Sequence, residues 1–574
     1  TNGDDKADRT EIILGGFDTH DTHHAISAYA ADPSGAFMLC EGVFLHSNVE
    51  TPYGPVRCVD GGFFRYSPQR GMLERTIQMS IPNPWGYTFD RWGQDFFLFT
   101  SGTNMNWALP MQVKPTFGSK TPATVDLIPA AEKVRPTSGL EVVSSRHFPD
   151  NVQGDLILCN AIGFLGIKQH QIEDDGTGWK TTFRQDLLTS TDRNFRPVDL
   201  EFAPDGSLYV IDWHNVLIGH MQHNARDPLR DHVHGRIYRV TYPSKPLVTP
   251  AKVNGESIPA LLENLKLPEY RSRYRTRREL RGRDAAAVTA AVEKWVKSLD
   301  KKDPDYEHQR LEALWVTWGA NKVNVPLLKE LLASKDYKVR AAATRVLRYT
   351  GHQVPDQAQL LTASVQDPHG RVRMEGIAAA SWLPRAQGVP ILAQAEKQAK
   401  DKTWIPGTLE TAIAHLNGLS VAQKKEEDVK SSLTGSDREL FVLGKEIYAR
   451  EGLCSTCHQP DGGGLTASEF PPLRGTPWVT GSPERLIKLV LKGLMGPMEV
   501  AGRSYSGQVP MTPHEGMLND SEVAAVLTYV RNSFGNKASP ISPDLVKKVR
   551  EEVKDKKGFW SPQELLKAHP LEKN

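Results

Sequence analysis

Cys454-Ser455-Thr456-Cys457-His458 is the stretch from which the fold of this chain is best predicted. Two cysteines three positions apart, with a histidine directly after them, form the attachment pattern of a c-type haem. Both thiols can reach the vinyl groups of one porphyrin from a single turn, and the adjacent imidazole reaches the iron as the proximal ligand. A zinc site would need a second ligand pair, and no other CxxC occurs here. A redox CxxC precedes a helix in a βαβ unit, which this region does not resemble. We therefore predict haem c, with Cys454 and Cys457 as its thioethers and His458 on the iron.

The sequence on both sides of this motif predicts three helices. The first is expected at Phe441–Ala449 and leads into the motif. The second is expected at Pro483–Lys492, where proline suits the first turn. The third is expected at Ser521–Phe534, because its apolar residues follow a helical period, and Ser521 is expected to be its N-cap. The region is therefore predicted to be all-α.

This region resembles a class I cytochrome c domain over about Asp437 to Asn536. The resemblance implies a distal methionine on a loop before the last helix, and Met511 fits that position. The other candidates for the sixth ligand are Met495, Met498 and His514. A methionine ligand raises the haem potential relative to two histidines, which favours the acceptance of electrons.

Composition limits the classes of function. The 574 residues predict roughly three to five domains, and the formal net charge of +2 argues against a surface for nucleic acid. The chain contains no apolar run of about 18 residues, which is the length that predicts a transmembrane helix. Because haem is attached to CxxCH outside the cytoplasm, we expect a periplasmic or otherwise extracytoplasmic bacterial protein, with its targeting segment removed or upstream of residue 1. In that compartment Cys40 and Cys58 are candidates for a disulfide.

The first residues have the rhythm of a calcium loop, with oxygen ligands at alternate positions and a carboxylate at the end. Asn2, Asp4, Asp8 and Glu11 are the candidate ligands. The first ligand of such a loop would precede the chain, and Asp5 replaces the usual glycine. The alternative is a solvated acidic turn. In either case we expect the chain to begin inside a folded unit, as a processed product or without its N-terminal part.

From Ile12 to about Tyr242 the pattern is that of short strands between turns. The phrase Asp32-Pro33-Ser34-Gly35 recurs as Pro204-Asp205-Gly206-Ser207 and, more loosely, as Asp90-Arg91-Trp92-Gly93. A turn and a strand that repeat every few tens of residues are typical of a β-propeller. At about 40–50 residues per blade the stretch predicts roughly four or five blades. We therefore expect that blades are missing upstream, or that a separate N-terminal fragment completes the ring.

Two phrases carry a family resemblance. His24 ahead of the first turn, and Asn83-Pro84-Trp85-Gly86, resemble soluble quinoprotein aldose dehydrogenases, which use pyrroloquinoline quinone; Pro82 replaces the arginine of that family. A closer resemblance, over nearly the whole chain, is to the propeller–HEAT–cytochrome c "membrane-bound dehydrogenase" family of planctomycete and verrucomicrobial bacteria. This closer resemblance is carried by Asn83-Pro84-Trp85-Gly86 and by four further stretches, Asp21-Thr22-His23-His24, Arg196-Pro197-Val198-Asp199, Asp212-Trp213 and His234-Gly235-Arg236-Ile237-Tyr238-Arg239.

These resemblances imply a catalytic site made of His24, Asn83, Arg196 and Asp212. Oxidation of an alcohol at a quinone needs a base for the hydroxyl proton, and a neutral imidazole serves near pH 7. His24 is the expected base and His23 the alternative. Calcium can polarise the quinone carbonyl. The structural alternatives are a histidine–aspartate pair in a blade, an Asn-Pro turn, and an ion pair of Arg196 with Asp212 between blades.

The chain beyond Pro243 changes to helical periods. An Asp-x-x-x-Val-Arg pattern at Asp336 and Asp367 repeats after about 32 residues and resembles HEAT-like helical pairs, in which Arg340 and Arg373 contact neighbouring repeats. We predict a propeller at 1–245, HEAT-like repeats at 246–430, cytochrome c at 431–536 and a charged helical tail at 537–574 that packs on another domain.

The function predicted from these parts is that of an extracytoplasmic dehydrogenase. It would oxidise a sugar or another alcohol at the propeller and pass the electrons to its own haem, and then to a redox partner protein. The alternative is a non-catalytic scaffold for electron transfer or binding, whose propeller docks a partner or a glycan.

Overall fold

The structure, a computed structural model, describes residues 4, 6–20, 24–79, 81, 83–100, 104–116, 125–134, 137–215, 231–396, 401, 403–418, 429, 432–450, 453–459, 462–464 and 469–572. The chain divides into two compact units, Thr1–Ser420 and Val421–Asn574. None of the helices in the described ranges is long and apolar enough to cross a membrane.

The N-terminal part of the first unit consists of successive antiparallel sheets. Their orders are β1-β2-β5-β6, β7-β8-β9, β10-β11-β12-β13 and β14-β15-β16, and β3 and β4 form a small hairpin. The strands are β1 Ser27–Ala31, β2 Phe37–Glu41, β3 Asn48–Val49, β4 Val56–Arg57, β5 Gly62–Ser67, β6 Met72–Gln78, β7 Tyr87–Phe89, β8 Asp95–Phe99, β9 Asn104–Trp107, β10 Thr137–Val142, β11 Leu156–Asn160, β12 Gly166–Asp175, β13 Gly178–Thr189, β14 Pro197–Phe202, β15 Leu208–Asp212 and β16 Arg236–Val240.

The recurring phrase forms the turn between the first two strands of a sheet. In the first sheet, Asp32 Oδ1 accepts hydrogen bonds from the backbone N–H groups of Ser34 and Ala36, at 2.9 and 3.0 Å. In the second sheet, Asp90 Oδ1 accepts from the backbone N–H of Trp92 and that of Gln94, each at 2.8 Å. An aspartate that accepts from the backbone two residues on stabilises such a turn. The repeat seen in the sequence therefore has a structural cause.

The first strands of the sheets lie side by side. β1 packs beside β7, β7 beside β10, and β10 beside β14. The first strands of neighbouring propeller blades are placed in this way, but the closure of a ring stays a prediction.

Cys40 and Cys58 are buried free thiols. The expected disulfide between them is therefore absent. Cys58 Sγ instead contacts Gln78 Oε1 at 3.7 Å, and burial raises the pKa of both thiols.

The rest of the first unit is helical. The helical periods beyond Pro243 predict helices at Glu307–Trp318, Val325–Leu332, Lys338–Arg348 and Arg371–Trp382, and each of these helices is present with ends that differ by no more than a turn. The helices are α1 Ile258–Asn264, α2 Tyr270–Arg281, α3 Ala285–Ser298, α4 Tyr306–Gly319, α5 Val325–Leu332, α6 Tyr337–Thr350, α7 Gln357–Val365, α8 Gly370–Ala380, α9 Arg385–Glu396 and α10 Ile405–Leu416. As predicted, Arg340 contacts the next repeat, through Nε to Asp367 Oδ2 at 2.7 Å. Arg373 instead donates to the carbonyl oxygens of Asp367 and Pro368, in the loop before its own helix.

Arginines of these helices bind the turns of the sheets. Arg345 Nη1 donates to Gly93 O at 2.6 Å and to Asp95 Oδ1 at 2.9 Å. Arg371 Nη2 donates to Gly178 O at 2.6 Å, and Arg281 Nη1 donates to Gly35 O. Sheets and helices therefore form one packed unit.

The second unit is helical with one short hairpin. Its elements are α11 Gly435–Ala449, α12 Cys454–His458, α13 Pro477–Thr480, α14 Pro483–Lys492, β17 Met498–Val500, β18 Arg503–Tyr505, α15 Asp520–Asn532, α16 Pro543–Glu552 and α17 Pro562–Ala568. The N-cap of α15 is Asn519 and not the predicted Ser521. The Asn519 side chain accepts from Glu522 N at 2.9 Å, and Glu522 Oε2 accepts from Asn519 N at 3.1 Å. This reciprocal capping box satisfies two backbone donors, which a serine two residues later cannot do.

The tail after residue 537 packs on the cytochrome-like helices. Leu494 forms a parallel bridge with Trp560, and Met495 N donates to Trp560 O at 2.9 Å. The fully buried Arg485 donates from Nη1 to the carbonyl oxygens of His569 and Pro570, at 3.0 and 2.7 Å. The tail thus belongs to the core of this unit.

Candidate haem site

α12 places the CxxCH residues against one pocket. Cys454, Cys457 and His458 all line it. His458 is 9% exposed, and its Nδ1 lies 2.8 Å from the carbonyl oxygen of Pro471. A carbonyl can only accept, so Nδ1 carries the proton and Nε2 is left as the ligand atom. A hydrogen bond donated by the ring nitrogen that does not bind the metal fixes the tautomer and orientation of a metal-binding histidine.

The chain after α12 is held in place by its backbone. Gln459 has a φ of +63°, and its carbonyl accepts from Tyr448 Oη at 2.6 Å. Gly464 N donates to His458 O at 3.0 Å. Gly462 has a φ of +65°, and a Cβ there would lie 2.5 Å from the Phe534 ring. This glycine is required both by its conformation and by the close approach of the ring.

The pocket walls are mainly apolar. Its aliphatic lining includes Leu453, Leu489, Val490, Leu494, Leu518 and Leu527. Trp478 and Tyr505 also line it, and Trp478 Nε1 donates to Glu499 O at 3.0 Å. An apolar pocket with few convergent polar groups is the usual form of a cofactor site.

The loop before α15 brings the predicted distal ligand to the same pocket. Met511 lines the pocket, and its backbone exchanges hydrogen bonds with Leu494, at 2.9 Å from its N–H and 3.2 Å to its carbonyl. Met498 and the buried His514 line the pocket as well. Met495 does not, and it is 48% exposed. The structure therefore narrows the candidates for the sixth ligand to Met511, Met498 and His514.

Burial sets the protonation of these side chains. It lowers the pKa of His458 and His514 and raises that of the Cys454 thiol to about 11. Both imidazoles are therefore favoured in the neutral form, which is the form that binds metals. The donor set, two thiols on one turn and a neutral oriented imidazole facing an apolar pocket, fits a haem c.

The residues predicted for catalysis lie in the sheets of the first unit. His24 is 4% exposed, precedes β1 and packs against the edge of Phe44, with ring centroids 5.5 Å apart. Asn83 precedes β7, and its carbonyl accepts from Thr100 N at 3.0 Å. Its predecessor Pro82 and the alternative base His23 lie outside the described residues.

Arg196 and Asp212 are brought together. The buried Asp212 carboxylate accepts from the backbone N–H groups of Arg196 and His214, each at 2.7 Å. Arg196 precedes β14, and its guanidinium donates to Asn215 O at 2.9 Å and to Ala161 O at 2.7 Å. Because Ala161 follows β11, Arg196 links two sheets. His24 and Asn83 belong to the starts of two other sheets.

The candidate calcium ligands do not form a described cluster. Asn2 lies outside the described residues, and Asp4 Oδ1 accepts from Lys6 N at 3.0 Å. Asp8 is exposed, and Glu11 pairs with Arg9 at 3.0 Å. In the described ranges, no group of three or more His, Cys, Asp or Glu side chains is placed to hold a metal ion. Calcium at these residues stays a prediction.

Sequence reasoning missed two contributors to the haem pocket. The prolines at 471 and 472 predict a loop that can fold over a face of the haem, but not that the Pro471 carbonyl is the hydrogen-bond partner of His458. Trp478 was not singled out although it lines the pocket. The Pro471-Pro472-Leu473 run, which begins 13 positions after His458, was the available signal for the first, and the second had none.

Three families match separate parts of the chain. A cytochrome c family matches residues 441–534, a HEAT repeat family matches 324–403, and a domain of unknown function (DUF7133) matches 1–244. The predicted cytochrome c and HEAT-like regions are thereby confirmed.

Known proteins resemble the C-terminal part. Cytochrome c-552 of Thermus thermophilus is 35% identical over 116 residues, which cover 19% of this chain and 83% of that protein. The cytochrome c subunit of the alcohol dehydrogenase (quinone) of Gluconacetobacter polyoxogenes is 34% identical over 109 residues, 19% of this chain and 22% of the subunit. The fructose dehydrogenase cytochrome subunit of Gluconobacter japonicus is 31% identical over 139 residues, 23% of this chain and 26% of the subunit.

Solved structures also align with part of this chain. A crystal structure of glucose dehydrogenase aligns with 38% of this chain and 83% of its own, at 15% identity and a TM-score of 0.22. That score is too low to indicate a shared fold.

Proposed function

The chain belongs to the cytochrome c family through its C-terminal part, and from this premise we propose that it is an extracytoplasmic dehydrogenase with a built-in haem c acceptor. It oxidises a sugar or another alcohol in its N-terminal part and passes the electrons to its own haem, and then to a redox partner protein. The observation that carries the proposal is the pocket in which Cys454, Cys457, His458 and Met511 meet. The cytochrome subunits of two dehydrogenases among its relatives support it.

In this proposal the haem is tethered by Cys454 and Cys457 and bound through His458 and Met511. When bound, the haem supplies a one-electron acceptor. Pro471 holds the imidazole of His458 through its Nδ1 proton. The walls are mainly apolar, and such a lining together with a methionine ligand would favour a potential high enough to accept electrons.

The oxidative half is assigned to the sheets, with His24 as the base. An imidazole can act as a general base that takes the hydroxyl proton of an alcohol while a hydride leaves the same carbon. Asn83 is assigned to contact with the substrate or cofactor. Arg196 and Asp212 hold backbone groups between sheets, which supports a positioning role for both. Pyrroloquinoline quinone and calcium are the proposed hydride acceptor and Lewis acid of this half.

The proposal includes the arrangement of the chain. Its parts are a propeller at 1–245, HEAT-like repeats at 246–430, a cytochrome c domain at 431–536 and a tail at 537–574. The side-by-side first strands β1, β7, β10 and β14 support the propeller.

The second candidate function is a non-catalytic scaffold. The observation in its favour is that Asp212 accepts from the backbone and Arg196 donates to backbone carbonyls, as structural residues do. In this alternative the sheets dock a partner or a glycan, and the haem exchanges electrons only with other proteins.

Haem reduction by candidate substrates separates the two functions. The full-length haem-loaded protein is oxidised, mixed with sugars and alcohols with and without pyrroloquinoline quinone and calcium, and followed by its reduced α band without oxygen. We expect at least one substrate to reduce the haem, and His24→Asn to slow that reduction by about 10²-fold or more, as loss of a general base does. His46→Asn, at an exposed histidine, is the control. If dithionite reduces the haem but no substrate does, the scaffold is the function.

A further inference from the structure

A second large cavity lies within the first unit. It has a volume of about 860 Å³ and lies between the hairpin β3–β4, strand β6 and the ends of helices α6 and α8. Pockets for organic ligands usually measure about 300–1,000 Å³. None of His24, Asn83, Arg196 and Asp212 lines it, so it is separate from the catalytic residues proposed above.

The lining of this cleft is strongly basic. Arg70, Arg75, Lys114 and Arg348 line it, with Glu74 as the carboxylate among the lining residues. Glu74 already pairs with Arg65, at 3.3 Å. In the described ranges, no carboxylate forms an ion pair with any of those four cations; Arg75 Nη1, for example, donates to Arg57 O and Gln78 Oε1, each at 2.7 Å. Arg70, Lys114 and Arg348 therefore give the cleft positive charge that no ion pair among the described residues neutralises.

Arg348 is the most constrained of these cations. It is 8% exposed, and its Nη1 donates to Gln112 Oε1 at 3.3 Å. Its Nε and Nη2 have no hydrogen-bond partner among the described residues. Its guanidinium carbon lies 4.7 Å from the ring centroids of both Tyr349 and Trp382. A buried charge without a counter-charge is costly, and an anion in the cleft would offset that cost.

Aromatic faces accompany the charges. Trp382 lines the cleft, and Lys114 Nζ lies 5.9 Å from its ring centroid. Tyr53 lines the opposite wall; it is 64% exposed, and its hydroxyl donates to Arg70 O at 2.9 Å. An aromatic ring with a polar edge suits a ligand that has both C–H faces and hydroxyl groups. The cleft is also much larger than a free inorganic anion needs.

We propose that this cleft binds an acidic oligosaccharide, with its carboxylate or sulfate groups on Arg70 and Lys114 and a sugar face against Trp382. Arginine binds such anions through two parallel hydrogen bonds. The guanidinium of Arg348 lies against the rings of Tyr349 and Trp382, and its charge adds to the positive potential of the cleft. Binding in this cleft would hold the protein on a polyanionic glycan, whichever substrate the sheets of the first unit oxidise.

Isothermal titration calorimetry on the full-length haem-loaded protein tests the proposal. The probes are trigalacturonate for carboxylate, a sulfated trisaccharide for sulfate, maltotriose as the neutral control, and a single-stranded oligonucleotide as the other polyanion. The variant is Arg70→Gln/Lys114→Gln, which changes side chains at the cleft surface. The matched control is Arg278→Gln/Lys297→Gln, because both of those residues are exposed and outside the cleft.

We expect one acidic saccharide to bind, maltotriose to bind at least ten-fold more weakly, and the cleft variant to raise the dissociation constant at least ten-fold. The control variant should keep the wild-type value. Binding of the uronate or of the sulfated sugar identifies the acidic group. The proposal is overturned if neither binds, if the cleft variant binds like the wild type, or if the oligonucleotide binds as tightly as the sugars. Because binding needs no haem reduction, this result is independent of the dehydrogenase assay.

Discussion

At the scale of single residues, the identity of the sixth haem ligand has the clearest consequence. Met511, Met498 and His514 all line the haem pocket, and the proposal assigns the iron to Met511. Met511→Ala should lower the reduction potential by on the order of 0.1 V or more, since axial ligands set haem potentials over about 0.8 V. It should also remove the charge-transfer absorption band of methionine ligation.

Spectroelectrochemistry of the full-length protein measures both effects. Met498→Ala is the matched control, since it removes a second methionine from the same pocket and should leave the band in place. Loss of the band in Met498→Ala, or its survival in Met511→Ala, would contradict the assignment.

A buried histidine of the first unit makes the stability of the folded chain depend on pH. His170 on β12 is fully buried, and burial, followed by the nearby Lys168, lowers its pKa from about 6.5 to about 4; Glu132 and Asp186 oppose this shift. Below pH 6.5 His170 binds a proton in the unfolded chain, whereas in the folded chain it stays neutral until the pH falls to about 4. The contribution of His170 to the free energy of unfolding is therefore largest above pH 6.5 and falls as the pH falls towards 4.

For His170 alone this predicts a loss of about 2 kcal/mol between pH 7 and pH 5. His170→Leu should remove that part of the pH dependence, whatever it does to stability at pH 7. Urea unfolding of the wild type, the variant and the exposed His46→Leu control at both pH values measures it. Equal pH dependence in all three would show that His170 titrates normally.

At the scale of elements, the crossing of α11 and α15 depends on one glycine. A Cβ at Gly444 would fall inside contact distance of the Ala525 carbonyl oxygen and within 2.8 Å of Tyr529 Cβ. The two helices therefore cross more closely than any larger residue allows. Gly444→Val should destabilise the second unit by about 1–3 kcal/mol, as overpacking does.

Denaturant unfolding followed by the haem Soret band measures this effect. Gly516→Ala is the control, because a Cβ there meets nothing within 4 Å. If Gly444→Val unfolds at the same denaturant concentration as Gly516→Ala, the close crossing is not needed for stability.

Most elements could be predicted from the sequence where local signals agree. Pro483–Lys492 was predicted to the residue because Ser482 caps it and proline begins it. Asp95–Phe99 was predicted because an apolar run follows a turn aspartate. The cap of α15 was misplaced by two residues, because Asn519 and Ser521 are both good caps and the choice depends on the reach of Glu522.

The candidate sites differ in how well the sequence predicts them, because some are local motifs and others are assembled from distant residues. CxxCH is a local motif, so Cys454 and His458 could be found from five letters. The carbonyl of Pro471 that holds His458 has no side-chain signature. The basic cleft could not be predicted, because Arg70 and Arg348 are 278 positions apart in sequence and meet only in the folded unit.

At the scale of the whole molecule, the proposed function requires an oxidising part and an electron acceptor in one chain. The sequence indicated this order of parts through changes of period, from strands to helical repeats to the haem motif. It did not indicate how closely the sheets and repeats join. That junction depends on arginines such as Arg345, whose partners Gly93 and Asp95 lie about 250 positions away.

The central claim is that a haem is covalently bound in the second unit, and intact-mass spectrometry of the purified protein followed by peptide mapping tests it most directly. We predict a mass equal to that of the polypeptide plus one haem, with the added mass on the peptide that contains Cys454 and Cys457, and its loss in Cys454→Ala/Cys457→Ala. A bare polypeptide mass from cells that mature other c-type cytochromes, or a haem that leaves the chain in acid acetone, would contradict the claim.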